Sequence, residues 1–208
     1  MKANVYAVLM ILGLAVALSG CAPSKTYLIE LNYLPDQKAA PTAKVAAICP
    51  FEDVRKETER DLIGLRNHGD KKVDFLKVEG TSVSEAVTQA VRDYFIDNGF
   101  QVTDCKGWDM SPEGLDRLPG DLTVVVGGKV DSLMVEANSG VMTTNIQYTV
   151  RMRVHIGKVK ERTVVTRAIE SMPKEKKVGF DPEYVEETLN SVMTEALQKL
   201  LAECLVCE

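Results

Sequence analysis

Histidine is scarce in this 208-residue chain, which has only His68 and His155. Neither lies near a Ser or Cys partner in sequence, so the chain spells out no nucleophile–base pair. A structural zinc site needs about four ligands, and the single Cys-x-x-Cys, Cys204-Leu205-Val206-Cys207, does not supply them together with two scattered histidines. That pair has the spacing of a thiol–disulfide enzyme. Such enzymes, however, place the first cysteine at a helix amino terminus, where the dipole favours thiolate. Here the pair falls at the carboxyl end of a predicted helix, where the dipole opposes it. An excess of positive charge is also missing. Lys and Arg number 25 against 30 Asp and Glu, a net charge of −5, which removes the electrostatic case for nucleic acid and leaves little general attraction to anionic surfaces. A phosphate loop is absent: Gly127-Gly128-Lys129 lacks the earlier glycine, and Val130 stands where Ser or Thr would bind magnesium. There is no internal repeat and no low-complexity tract. The sequence therefore assigns no catalytic residue, no metal ligand and no cofactor.

Long apolar runs are almost absent as well, and the exception is informative. Val5 to Leu18 carries no charge, but its length of about 14 residues falls short of the roughly 20 that span a bilayer. Lys2 precedes it, and Leu18-Ser19-Gly20-Cys21 follows. A basic start, a short apolar core and small residues before a cysteine make residues 1–20 a signal peptide. They match the bacterial lipobox, in which Cys21 takes a diacylglycerol and becomes the first mature residue. A single acyl chain anchors marginally, at about 0.8 kcal/mol per buried methylene, whereas two or three anchor stably. Ala22, rather than Asp, follows the cysteine, and this favours the outer membrane, with the domain in the periplasm. Residues 21–43 then form the lipidated amino terminus, tether and one short strand, and residues 44–208 form a single domain, long enough for a real core.

The coarse pattern predicts a strand at 26–34, ended by Pro35, and a buried strand from Lys44 to Phe51, ended by Pro50. Residues 52–80 read as a charged, irregular excursion, with a small hairpin near His68-Gly69-Asp70. Ser82 and Glu85 form a capping box. Val83, Ala86, Val87, Ala90, Val91, Tyr94 and Phe95 make a helical stripe that Gly99 terminates. A strand returns at 100–104, so the crossover rule sets it parallel to the strand at 45–49. Residues 111–118 suggest a helical turn. A long strand follows over 122–135, in which Gly127-Gly128 suggests a bulge or bend. From Asn145 to Lys158 the alternation is strict: Ile146, Tyr148, Val150, Met152, Val154 and Ile156 face one way, and Asn145, Gln147, Thr149, Arg151, Arg153 and His155 the other. A strand over 164–171 completes a meander. A helix capped by Asp181, with Pro182 at its first position, runs to about Cys204. The fold expected is an α/β two-layer sandwich, a mixed sheet with two amphipathic helices packed on one face and the other face relatively open.

Four cysteines remain after lipidation, and an oxidising periplasm favours two disulfides. The parallel strand ends suggest Cys49–Cys105, and the i, i+3 spacing at the helix end suggests Cys204–Cys207. Asp53 and Arg55 read as a local ion pair at the start of the 52–80 excursion. Arg151, Arg153 and His155 form a row on the uncovered sheet face. This row is either a solvated surface of cross-strand ion pairs or a docking face for an envelope protein or anionic glycolipid.

The lipobox, the strand ending in Phe51-Glu52-Asp53-Val54-Arg55, the Ser84–Asn98 helix and the paired long strands together resemble the YajG family of bacterial lipoproteins, over about residues 26–203. The Cys204–Cys207 pair is a departure from that family. The strand ending Ile48-Cys49-Pro50-Phe51-Glu52-Asp53 is also similar to the amino-terminal domain of the TolB translocation protein, and lipopolysaccharide-assembly and curli-secretion lipoproteins resemble that architecture too. The resemblance implies a non-enzymatic accessory module, held at the membrane by its lipid. The alternative is a periplasmic enzyme whose site is assembled from the 52–80 loop and the open sheet face.

Overall fold

The computed structural model describes residues 23–35, 38–69, 72–105 and 107–205. The signal peptide, Cys21 and the expected Cys204–Cys207 bridge lie outside what is described. The elements run β1 (Thr26–Ile29), β2 (Val45–Ile48), β3 (Glu52–Asp53), β4 (Leu62–His68), β5 (Val73–Val78), α1 (Val83–Asp97), β6 (Gln101–Asp104), α2 (Pro112–Leu115), β7 (Val124–Ser139), β8 (Thr143–Lys158), β9 (Thr163–Ser171), β10 (Lys174–Val178) and α3 (Pro182–Leu205).

The β7–β8 hairpin organises the sheet, paired from Val124–Lys158 to Ser139–Thr144. Along its free edge β7 takes three parallel partners in turn: β2 at Val124–Val126, β3 at Lys129–Val130 and β4 from Val135 to Ser139. Outside β4 lie β5 and then β1, and outside β2 lies β6. The outer edge of β8 is shared by β10 and β9. β2 and β6 are parallel, with Val45 opposite Gln101 and Ile48 opposite Asp104, as the crossover argument requires.

Both long helices bury their stripes on one face of this mixed sheet. The seven stripe residues of α1 are its buried residues, and both bonds of the Ser82–Glu85 capping box are present. Gly99 closes the helix at φ +81°, where the Ala40 carbonyl packs so closely that no side chain would fit. Val185, Leu189, Met193, Ala196, Leu197, Leu200 and Leu201 of α3 join the same core, against Ile146, Tyr148, Val150, Met152, Val154 and Ile156 of β8. The other face is open over most of β8 but covered near β2. There, residues 107–122 fold back and pack Trp108, Leu115 and Leu122 onto Ala47, Cys49 and Val125. Gly157 makes room for this flap, since a Cβ there would meet Leu115, Val125 and Trp108 within 3.0 Å.

Two expectations are corrected. The segment 52–80 is not an irregular excursion, because it contains β3, β4 and β5, all in the main sheet. The hairpin at His68-Gly69 is the β4–β5 turn. Its strands escaped the pattern for physical reasons. A register shift between Leu62 and Gly64 breaks the alternation of β4, and the buried side of β5 carries Asp74 beside Leu76 and Val78. The bulge in β7 is not at Gly127-Gly128, which pair regularly with His155 and Val154. The register shifts between Val130 and Ser132, which makes Asp131 the extra residue. Gly128 serves close approach instead, since a Cβ there would lie 2.6 Å from the Phe51 ring.

After β1 the chain stays extended and lies along α3. The Glu30, Asn32 and Leu34 N–H groups donate to Glu186, Asn190 and Thr194, at 2.9, 3.0 and 2.9 Å. The match is geometric. Two residues of extended chain advance about 6.7 Å, and four residues of helix advance about 6 Å. Side chains one helical turn apart can therefore satisfy every second amide of a segment that has no strand beyond it. Asn190 also donates to the Glu30 carbonyl at 2.9 Å, so its amide satisfies a donor and an acceptor on the same edge of that backbone.

Candidate functional site

Strict alternation in β8 sends Arg151, Arg153 and His155 to the face away from the helices. Each meets a partner within the chain. Arg151 stands opposite Glu170 of β9 and is ion-paired with it. The bulge in β7 turns Asp131 onto the same face, where it receives the Arg153 guanidinium on both oxygens, with Nε to Oδ2 at 2.8 Å. A bulge commonly re-aims a side chain in this way. The Arg153 hydrogen bonds hold the Asp131 carboxyl below its ordinary range, against the opposing effect of burial. His155 Nδ1 lies 2.9 Å from the Thr166 hydroxyl. Burial pushes its pKa down, helped by Arg153 and Lys129, which favours the uncharged imidazole. Lys129 pairs with Glu52 at 2.7 Å. Between this row and Val54 and Lys56 lies a shallow hollow of about 550 Å³, also bordered by Glu170.

The row is thus a lattice of two cross-strand ion pairs, with the His155 imidazole bonded to the Thr166 hydroxyl beside them. What it offers chemically is two guanidinium groups whose carboxylates can be exchanged for those of a partner. Exposed pairs of this kind contribute little to stability. Changing Arg151→Ala and Arg153→Ala together should leave the urea unfolding midpoint nearly unchanged, whereas unfolding of the double variant would make these arginines structural.

The Asp53–Arg55 pair is buried and serves as a clasp. Arg55 Nε and Nη2 reach the Asp53 carboxylate at 2.9 and 3.0 Å. Its Nη1 donates to the carbonyls of Leu62 and Leu133 at 2.6 and 3.3 Å, and its Nη2 also donates to that of Arg60 at 3.2 Å. One side chain therefore ties the end of β3 to the start of β4 and to the middle of β7.

A second buried carboxylate was not legible in the sequence. Asp74, on the core side of β5, accepts from the Lys25 N–H at 2.9 Å and lies 2.8 Å from His68 Nε2. Lys72 and Arg66 stand 3.7 and 3.8 Å away. His68, read as a loop residue, is the last residue of β4. Burial alone would raise the Asp74 pKa, but the Lys25 amide, His68 and Lys72 together outweigh it and hold the carboxyl below its usual value. A depressed carboxylate stabilises the fold above its unfolded pKa of about 3.9, and that contribution is lost as pH falls through the folded value. Asp74→Asn should flatten the acid limb of stability against pH, as measured by urea midpoints between pH 7 and 2. An unchanged acid limb would place that limb's origin elsewhere.

Among the described residues no group of three metal-ligating side chains converges. No protein-family model matches the chain, and no curated protein matches it by sequence. Solved structures do share its fold. An uncharacterised protein aligns at TM-score 0.54 and 8% identity, over 88% of this chain and 99% of its own. A Xanthomonas campestris protein of the DUF330 family aligns at 0.52 and 9%, over 89% and 95%. The PelC dodecamer structure from Paraburkholderia phytofirmans aligns at 0.42 and 15%, over 81% and 91%.

Proposed function

We propose that this chain is a lipid-anchored lipoprotein of the bacterial envelope, YajG-like in kind, which acts by binding and not by catalysis. The observation that carries this reading is the uncharged run Val5–Leu18 closing on Leu18-Ser19-Gly20-Cys21, only five residues ahead of the first strand at Thr26. A fold that begins so soon after the cysteine holds its sheet close to the membrane. No helix among the described residues is long and apolar enough to cross a bilayer, so the lipid on Cys21 is the anchor in this reading. Ala22 assigns it to the outer membrane, with the domain in the periplasm. The enzymatic alternative loses its loop, because 52–80 is built into the sheet and its Asp53, Arg55 and Asp74 are committed to internal bonds.

The working surface in this reading is the row Arg151, Arg153 and His155, with its flanking hollow. A partner protein bearing carboxylates, or an anionic glycolipid, would displace Glu170 and Asp131 from the two arginines. The anchor is tested by Cys21→Ser, which should abolish acylation and leave the precursor uncleaved, while the parent protein sediments with outer membranes. Recovery of the parent as a soluble, unlipidated periplasmic protein would end the proposal. The surface is tested by crosslinking in intact cells. The double arginine variant should lose the captured complex, and more so at low salt, where charge contacts are least screened. An unchanged crosslinking pattern would remove this face from consideration.

A further inference from the structure

Val141, Val178 and Met142 are 104%, 87% and 76% exposed, the three most exposed large apolar side chains among the described residues. They are not scattered. Val141 and Met142 form the turn between β7 and β8, Val178 pairs with Thr143 at the start of β8, and the Gly179 N–H donates to the Met142 carbonyl at 3.2 Å. They make one apolar tip, with Lys176 and Lys177 exposed on the adjoining strand. Three large apolar groups held in water at a single point are costly unless something covers them.

The register across the sheet says what lies nearby. Thr26 is level with Phe75, Phe75 with Leu65, and Leu65 with Glu136. β1 starts at the end of the sheet where β4 and β7 finish, so the chain enters from the same end that carries the tip. Ser139 lies three residues beyond that level, about 10 Å further out, and the turn lies beyond Ser139. From Lys25, four residues of fully extended chain back to Cys21 span at most about 14 Å. Asp74 fixes where that span begins, by holding the Lys25 N–H. A bilayer surface reached by Cys21 is therefore within reach of the tip.

We propose that the Val141, Met142 and Val178 tip enters the headgroup region of the bilayer that holds the amino terminus, and so fixes the domain's tilt on the membrane. This rests on the anchoring reading above. The lipid and the tip then form two separated points of contact, with Lys176 and Lys177 at the depth of the phosphates. The β8–β9 turn, at the far end of the hairpin, points away into the aqueous space.

The experiment uses the full lipidated protein in vesicles of phosphatidylethanolamine and phosphatidylglycerol, with and without brominated acyl chains. Val141→Trp carries the probe, Thr163→Trp at the opposite end is the control, and buried Trp108 is the constant background. The brominated lipid should quench the Val141→Trp signal several-fold more than the control, with emission shifted to the blue. Equal quenching of the two in protein that floats with the vesicles would overturn the proposal and leave the anchor standing. A blue shift that persists in detergent without bromine quenching, together with a larger assembly by light scattering, would overturn it in favour of a second copy covering the tip. Failure to float would remove the anchoring reading, and the proposal with it. Val141→Asp with Val178→Asp supplies the converse. It should still float and fold, yet a Met142→Trp probe in that background should lose its quenching.

Discussion

Arg55→Ala should lower the unfolding free energy by about 3–5 kcal/mol, the scale expected when one member of a buried ion pair is removed and its partner stays buried. The guanidinium is almost wholly enclosed, at 1% exposure, and Asp53 is 7% exposed. Removing it leaves the Asp53 carboxylate to the more exposed Arg60, at 3.4 Å, and to one backbone N–H, and leaves the carbonyls of Arg60, Leu62 and Leu133 without this donor. The clasp also joins the consecutive strands β3 and β4 to the distant β7, so local relaxation cannot restore its bonds. Arg55→Lys should recover little, because a single ammonium cannot reach a carboxylate and three carbonyls in the planar fork that guanidinium provides. Asp53→Asn combined with Arg55→Met should cost less than Arg55→Ala, since it removes the charge along with its partner. Urea unfolding followed by circular dichroism decides the matter. A loss below about 1 kcal/mol for Arg55→Ala would mean that the pair behaves as a surface pair.

Cys49→Ala with Cys105→Ala should cost a similar amount. The two cysteines are joined, with their Cα atoms 4.5 Å apart and a sequence separation of 56. Constraining an unfolded loop of that size corresponds to about 4 kcal/mol in the chain-entropy picture. The cysteines follow the adjacent ends of β2 and β6, so the bridge extends pairing that the sheet already makes and adds its effect mainly through the unfolded chain. Reduction with dithiothreitol should therefore shift the urea midpoint as far as the double substitution does. A midpoint unaffected by either treatment would show that the loop gains nothing from closure.

The sequence made some of this legible and concealed the rest, and the reasons are physical. The stripes of α1 and α3 and the alternation of β8 were plain because each repeats over many residues with one environment per face. The Cys49–Cys105 pairing followed from the crossover alone. β4 was hidden by its register shift between Leu62 and Gly64, and β5 because its buried side holds Asp74, which is satisfied by Lys25, His68 and Lys72, residues brought together only by the fold. β10 was hidden because Lys174, Lys176 and Lys177 mark an edge strand exposed to water, with little apolar pattern to read. The row Arg151, Arg153 and His155 was placed on the correct face, but its pairing with Asp131 depends on a bulge one residue long, which no local signal near Gly127-Gly128 specifies. The flap at 107–122, which covers the β2 end of a face expected to be open, is anchored by Trp108 and fits only because Gly157 leaves space beneath it.

The ladder between residues 30–34 and α3 has a mechanical consequence. Any pull on the domain from a tethered amino terminus arrives at Lys25 and runs along the axis of β1. The bonds of β1 to β5 and those of Glu30, Asn32 and Leu34 to Glu186, Asn190 and Thr194 lie across that line. The load is therefore taken in shear by two rows at once, so that many bonds must fail together, and it passes directly into the longest helix. Tension applied at the amino terminus would be borne by the core and not by a frayed first strand.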